Sequence, residues 1–164
     1  MNPITKKEEG DLVLKMVALG FRKVIICSTL KVSERLVDSL KKSYGKEDIG
    51  RGRLKLAVSL LMTRSEKSEA TSFMSIYLRI AKDPEKVADI REIITAYEIY
   101  LDMHHKFRPK HSNSSGLTID ANAAWILARD YRIEEIRMVI CNYCGQYFIS
   151  PYETRPKHKC PFCE

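Results

Sequence analysis

No apolar run in the sequence approaches the roughly 18 residues that a membrane-spanning helix needs, so no such span is available. The opening residues, Met1-Asn2-Pro3-Ile4-Thr5-Lys6-Lys7-Glu8-Glu9, carry charge with no apolar stretch behind it. They do not read as a signal peptide, which predicts a cytoplasmic location. Internal repeats and low-complexity tracts are absent, which excludes solenoid and linker architectures. A phosphate-cradling glycine loop, a nucleophile–base spacing and an open metal site are missing too, so the chain is not expected to be an enzyme.

What is present is an ordinary soluble composition. The 164 residues are 45% apolar and 30% charged, enough to bury a core and to solvate a surface. Lys plus Arg outnumber Asp plus Glu by 28 to 21, giving a formal charge of +7. That balance suits a polyanionic partner without requiring one. The basic residues gather at Lys41-Lys42, in residues 51–55 and in Arg155-Pro156-Lys157-His158-Lys159. Solvated lysines scattered on a surface would give the same clusters.

Helical spacing dominates the pattern. In residues 6–45, Leu12, Met16 and Leu19 form an apolar stripe that stops at Gly20. Phe21, Val24, Ile25 and Leu30 form a second stripe. Ser33 is placed to cap a third helix, faced by Leu36, Val37, Leu40 and Tyr44 and ended by Gly45. Residues 46–64 resist assignment, because Leu54, Leu56, Val58 and Leu60 alternate as in a strand while Gly50 and Gly52 break the run. A helix is predicted over 65–81. Another should start at Asp83-Pro84-Glu85 and run to about His104 along Val87, Ile90, Ile94, Tyr97 and Leu101. A polar loop over 106–116 precedes a helix that starts at Thr118 or Asp120 and continues through Trp125 and Tyr131 to Ile136, with Trp125 as a core anchor. The predicted fold is mainly α. Its parts are a helix-turn-helix-like segment over 1–45, a helical body over 46–137 and a zinc-binding module over 138–164.

Four of the five cysteines fall in two Cys-x-x-Cys pairs, Cys141-Asn142-Tyr143-Cys144 and Cys160-Pro161-Phe162-Cys163. Two residues between ligands let a tight turn aim both sulfurs at one ion, and two such turns complete a tetrahedron. The reading is one structural Zn²⁺ held by Cys141, Cys144, Cys160 and Cys163, with no position left for water. A redox motif fits poorly without a βαβ pattern, and two disulfides would suit a secreted chain. An iron–sulfur cluster also takes four thiolates and stays open as the alternative. His158 reads as a solvated neighbour and Cys27 as a small buried hydrophobe.

The helices over 21–30 and 33–44 have the size of a helix-turn-helix. In that arrangement Leu36, Val37 and Leu40 pack inward. Ser33 and Arg35 approach base edges, and Lys41 and Lys42 lie beside phosphates. Any two antiparallel helices of a bundle would give the same pattern, and Glu34 and Asp38 place negative charge on the same surface.

Several runs together carry a resemblance. Leu19-Gly20-Phe21-Arg22, Leu30-Lys31-Val32-Ser33-Glu34-Arg35-Leu36 and Lys41-Lys42-Ser43-Tyr44-Gly45 are similar to the N-terminal part of the FlhC family. Ala96-Tyr97-Glu98-Ile99-Tyr100-Leu101 resembles its middle helix. Ala124-Trp125-Ile126-Leu127-Ala128-Arg129 followed by Cys141-Asn142-Tyr143-Cys144-Gly145 and Cys160-Pro161-Phe162-Cys163 resembles its C-terminal half. The resemblance implies a mainly helical subunit of a bacterial transcription activator. Such a subunit binds zinc and double-stranded promoter DNA in a heteromer with a FlhD-like protein and recruits RNA polymerase. Ser33, Arg35, Lys41 and Lys42, with Arg155, Lys157 and Lys159, become the expected DNA contacts. The resemblance departs in two places: flagellar members continue beyond the last cysteine with a basic tail, and residues 106–116 differ in composition, so control of conjugative-transfer genes, as by related activators, is a serious alternative. A zinc-stabilised adaptor that touches only proteins is the competing function.

Overall fold

The structure is a computed structural model, and it describes residues 3–46, 52–107, 119–152 and 160–163. The chain divides into two compact units, Met1–Arg53 and Leu54–Glu164. The described residues are mainly helical, as the apolar spacing predicts, with one small hairpin added.

In the first unit, helix α1 (Pro3–Ala18) buries Leu12, Val13, Met16 and Val17. Its end follows from one residue. Gly20 takes φ of +82°, and the N–H groups of Gly20 and Phe21 donate back to the carbonyls of Val17 and Met16, both at 3.0 Å. This double closure satisfies carbonyls that the helix leaves open, and it turns Phe21 into the core. Helix α2 (Lys23–Leu30) buries Ile25 and Ile26 and ends at Lys31 in the left-handed region. Helix α3 (Glu34–Ser43) starts where Ser33 caps the Leu36 N–H at 3.4 Å, and it buries Val37. Three expectations change here. Leu36 is 46% exposed and Val24 48%, and Tyr44 is exposed as well, so the inward faces of α2 and α3 are narrower than their apolar residues suggest.

The second unit begins with a 3-10 turn, Ala57–Leu60, in the segment whose alternation looks strand-like. Helix α4 (Arg64–Ile80) opens with a reciprocal cap. The Glu66 N–H donates to Thr63 Oγ1 at 3.1 Å, and the Thr63 N–H donates to Glu66 Oε2 at 2.9 Å. Helix α5 (Ile90–Phe107) starts later than Asp83-Pro84 predicts. Asp83 closes a single turn through its carbonyl, while Asp89 caps the Arg91 N–H at 2.8 Å, so Val87 is left exposed. Helix α6 (Ala121–Arg132) is capped by Asp120, which accepts from the Ala123 N–H at 2.7 Å.

Phe73, Met74 and Tyr77 of α4 meet Ile93, Ile94, Tyr97 and Tyr100 of α5 in the core. The Phe73 ring stacks on Tyr77 and meets Tyr100 edge-on, each at 6.2 Å between centroids. Trp125 is half-buried rather than a core anchor, with the Arg129 guanidinium 5.2 Å from its ring centre.

Helix α6 stops before Ile136. Glu134 adopts φ of +61°, and the N–H groups of Glu134 and Glu135 donate to the Tyr131 and Asp130 carbonyls. The chain then turns into strand β1 (Ile136–Ile140), which pairs antiparallel with β2 (Tyr147–Pro151), setting Ile136 opposite Pro151 and Ile140 opposite Tyr147. Among the described residues no helix is long and apolar enough to cross a membrane.

Candidate metal centre and candidate nucleic-acid helices

The turn of the hairpin is itself the first cysteine pair. The Cys141 N–H donates to the Gln146 carbonyl at 2.9 Å, which continues the ladder beyond Ile140. The Gly145 N–H then donates back to the Cys141 carbonyl at 2.9 Å, with Gly145 at φ of +70°. A side chain at that φ would be strained, which is why a glycine follows Cys144. The register sets Val139 opposite Phe148, and both pack with Cys141, Cys160 and Cys163. Neighbouring Ile149 points to the other face of β2 and is fully buried.

The four sulfurs of Cys141, Cys144, Cys160 and Cys163 all lie within 4.8 Å of one another, positioned to hold a single metal ion. Individual separations are 3.7 Å for Cys141–Cys163, 3.4 Å for Cys144–Cys160 and 3.5 Å for Cys160–Cys163. The thiols are electrostatically unequal. The Cys144 N–H foremost, with those of Tyr143 and Cys160, favours a thiolate on Cys141 and brings its pKa down to about 6. Cys163 is pushed up to about 12, chiefly by its contacts with the Cys144 and Cys160 sulfurs. Cys144 is favoured as a thiolate by the Gln146 N–H, yet its contacts with Cys160 and Cys141 leave it raised. Four thiolates this close repel one another, and a cation between them removes the obstacle. Four sulfurs around one ion would close the site, an arrangement consistent with a structural metal.

The proposed nucleic-acid residues separate into three groups. Ser33, Arg35 and Lys42 are exposed on or beside α3, although the Ser33 oxygen is engaged in capping. Lys41, expected beside phosphates, is instead only 5% exposed, so it is corrected to a buried position. Arg155, Lys157 and Lys159 lie outside the described residues. Lys23 of α2 reaches both acidic residues of α3, at 3.2 Å from Glu34 and 3.1 Å from Asp38. The hydrogen bond to Asp38, then that to Glu34, raises the Lys23 pKa. The acidic charge that complicates this surface in the sequence is therefore partly answered by a neighbouring helix.

Other polar contacts are little marked in the sequence pattern. Buried Asp130 accepts from the Ala57 N–H at 2.7 Å and from Arg129 Nε at 2.6 Å, while Arg129 Nη2 also donates to the Lys55 carbonyl at 3.2 Å. One signal was available: Asp130 falls three residues after Leu127, on the apolar face of α6. Glu69 accepts from the Tyr100 hydroxyl and lies 2.6 Å from His104 Nε2. Burial first, then that hydrogen bond, pushes the Tyr100 pKa upward. Thr71 and Arg64 of α4 contact β2 and the second cysteine turn, a pairing that no local pattern announces.

Comparison with known proteins gives one consistent result. The family model described as flagellar transcriptional activator (FlhC) matches residues 3–164. The flagellar transcriptional regulator FlhC of Thauera aminoaromatica is 24% identical over 148 residues, covering 87% of this chain and 71% of that protein.

Proposed function

Because the chain belongs to the FlhC family of flagellar transcriptional activators, we propose that it acts as the DNA-binding, zinc-stabilised subunit of a heteromeric transcription activator. The single observation that carries this is the family match over nearly the whole chain, cysteine pairs included. The partner is a FlhD-like protein, and the assembled complex recruits RNA polymerase at flagellar or conjugative-transfer promoters.

Zinc is the ion of choice. A tetrahedron with metal–sulfur bonds of about 2.3 Å separates its sulfurs by about 3.8 Å. The three separations above lie near that and all six are within 4.8 Å, which fits one ion, whereas a multi-iron cluster would spread its thiolates over different metal atoms. When bound, zinc supplies rigidity and no reactive position. Cys141, Cys144, Cys160 and Cys163 would hold it, with the backbone N–H groups of the first turn favouring the thiolate form.

On the DNA side, Arg35 is the base-reading candidate, because its fork can grip guanine bidentately. Lys42, with Arg155, Lys157 and Lys159, supplies phosphate contacts. Net charge supports this, and the pairing of Lys23 with Glu34 and Asp38 reduces repulsion near α3. The test is co-expression with the FlhD-like subunit, followed by sizing and promoter footprinting. Protection should need both proteins and fall steeply with salt. Arg35→Ala should relax base preference by about 1–3 kcal/mol at one position, and Lys42→Ala should weaken all sequences alike, lowering the salt slope by about one. Protection indifferent to both changes would remove α3 from the interface.

A second reading, an adaptor that touches proteins alone, is favoured by the exposure of Leu36 and Val24 on the same two helices. It expects a heteromer with no salt-dependent affinity for any duplex.

A further inference from the structure

The second cysteine turn is held from outside the hairpin as well as by its own sulfurs. We infer that Arg64 is a positioning residue of the metal centre, acting on Cys160 and Cys163 through the carbonyl of Pro161. The inference rests on the metal reading above.

Arg64 is the first residue of α4, and its Nε donates to the Pro161 carbonyl at 2.7 Å across 97 positions of sequence. Pro161 is buried and stands between the two ligands of that turn. Seven residues further along α4, on the same helical face, Thr71 Oγ1 accepts from the buried Ile149 N–H at 3.1 Å and donates to the Lys67 carbonyl at 2.6 Å. One face of α4 therefore grips both halves of the module: strand β2 through Thr71, and the Cys160–Cys163 turn through Arg64.

Two physical consequences follow for the metal. A fixed Pro161 carbonyl restricts the turn, so Cys160 and Cys163 lose less freedom when they close on an ion. Four thiolates around a divalent cation also leave a net charge of about −2, and the single positive charge of Arg64, although exposed, offsets part of it. Partners one step removed from the ligands typically change metal affinity by about 10- to 100-fold. Glu66, in the same first turn of α4, is engaged at the Thr63 cap, and among the described residues the side-chain hydrogen bond from α4 to the second cysteine turn is that of Arg64.

The experiment uses the full chain, reduced and loaded with Zn²⁺ or Co²⁺, and measures metal affinity by chelator competition. Cobalt absorption reports thiolate coordination independently of any activity. Arg64→Gln should weaken affinity by about 10- to 100-fold while the cobalt spectrum still reports four thiolates. Arg64→Lys should recover part of the loss, since an ammonium keeps the charge and can reach the same carbonyl. Thr63→Ala, which breaks the cap of α4 without touching Pro161, should leave affinity within about threefold of the parent. Arg64→Gln binding as tightly as the parent, or Thr63→Ala losing as much as Arg64→Gln, would overturn the assignment. A parent chain that takes up no metal would instead sink the zinc reading itself, and this inference with it.

Discussion

The two units of the chain are held by different kinds of contact. In Met1–Arg53, the closures that define the helices are local: Gly20 and Phe21 return to α1, Ser33 caps its own helix, and Lys23 ties α2 to α3 only 11 to 15 positions away. In Leu54–Glu164, the decisive hydrogen bonds join residues far apart in sequence. Asp130 meets Ala57 across 73 positions, Ile149 meets Thr71 across 78, and Arg64 meets Pro161 across 97. Local closures need only a few neighbouring residues. Distant ones must wait until the surrounding core has closed the loop. The helix ends of the first unit are therefore set by neighbouring residues, while the second unit is a scaffold whose distant parts support one another.

Metal removal should separate the units most clearly. The metal-facing side of the hairpin and the second cysteine turn share a small core of Cys141, Phe148 and Cys160, too little to hold the two turns together without an ion. Chelation, or Cys160→Ser, should strongly reduce hydrogen-exchange protection around the Cys141–Gly145 turn and the adjoining ends of β1 and β2 and loosen the start of α4, with α1 to α3 unchanged. For structural zinc in isolated peptides the binding free energy is about 10–16 kcal/mol, so the effect should be large once a chelator of higher affinity has removed the ion. Loss of protection in both units together would show that the division is not one of stability.

Asp130→Ala comes next in size. The carboxylate is fully buried and holds the Ala57 N–H, so its removal orphans a buried donor and deprives Arg129 of its partner. A cost of about 3 kcal/mol is expected in denaturant unfolding of the second unit. No equivalent substitution exists among the ion pairs described in the first unit, since Glu34 and Asp38 are exposed. A change under about 1 kcal/mol would mean that water replaces the carboxylate at Ala57.

The same contrast explains what could be read from sequence. Ser33, Asp120 and Gly20 were legible because a cap or a left-handed closure is written in one residue and its immediate spacing. The sulfur cluster was legible for the same reason twice over, each turn being four residues long. The rest depended on competition or distance. Asp83 and Asp89 are both plausible starts for α5, and only the packing of Ile90, Ile93 and Ile94 selects the second. The hairpin was concealed because Ile136 prolongs the apolar spacing of α6, and the break at Glu134 uses a residue that gives no hint of positive φ. Leu36 and Lys41 exchange their expected environments for a related reason. Composition identifies which side chains are apolar, but neighbouring helices decide which side of α3 is covered.

Two matched substitutions sharpen the comparison at its smallest scale. Lys31 closes α2 at φ of +53° and Glu134 closes α6 at +61°, and each is a non-glycine residue in the left-handed region. That conformation costs an L-residue about 1 kcal/mol, which glycine escapes, though glycine also gains freedom in the unfolded chain. Lys31→Gly and Glu134→Gly should each therefore stabilise by roughly 0.5 kcal/mol, measured as a shift of the denaturation midpoint with unchanged slope. If the two gains are equal, local turn chemistry has the same worth in both units, and their difference lies wholly in distant contacts. A gain confined to Lys31→Gly would mean that the position of Glu134, between α6 and β1, is fixed by the hairpin and metal site strongly enough to override its own backbone preference.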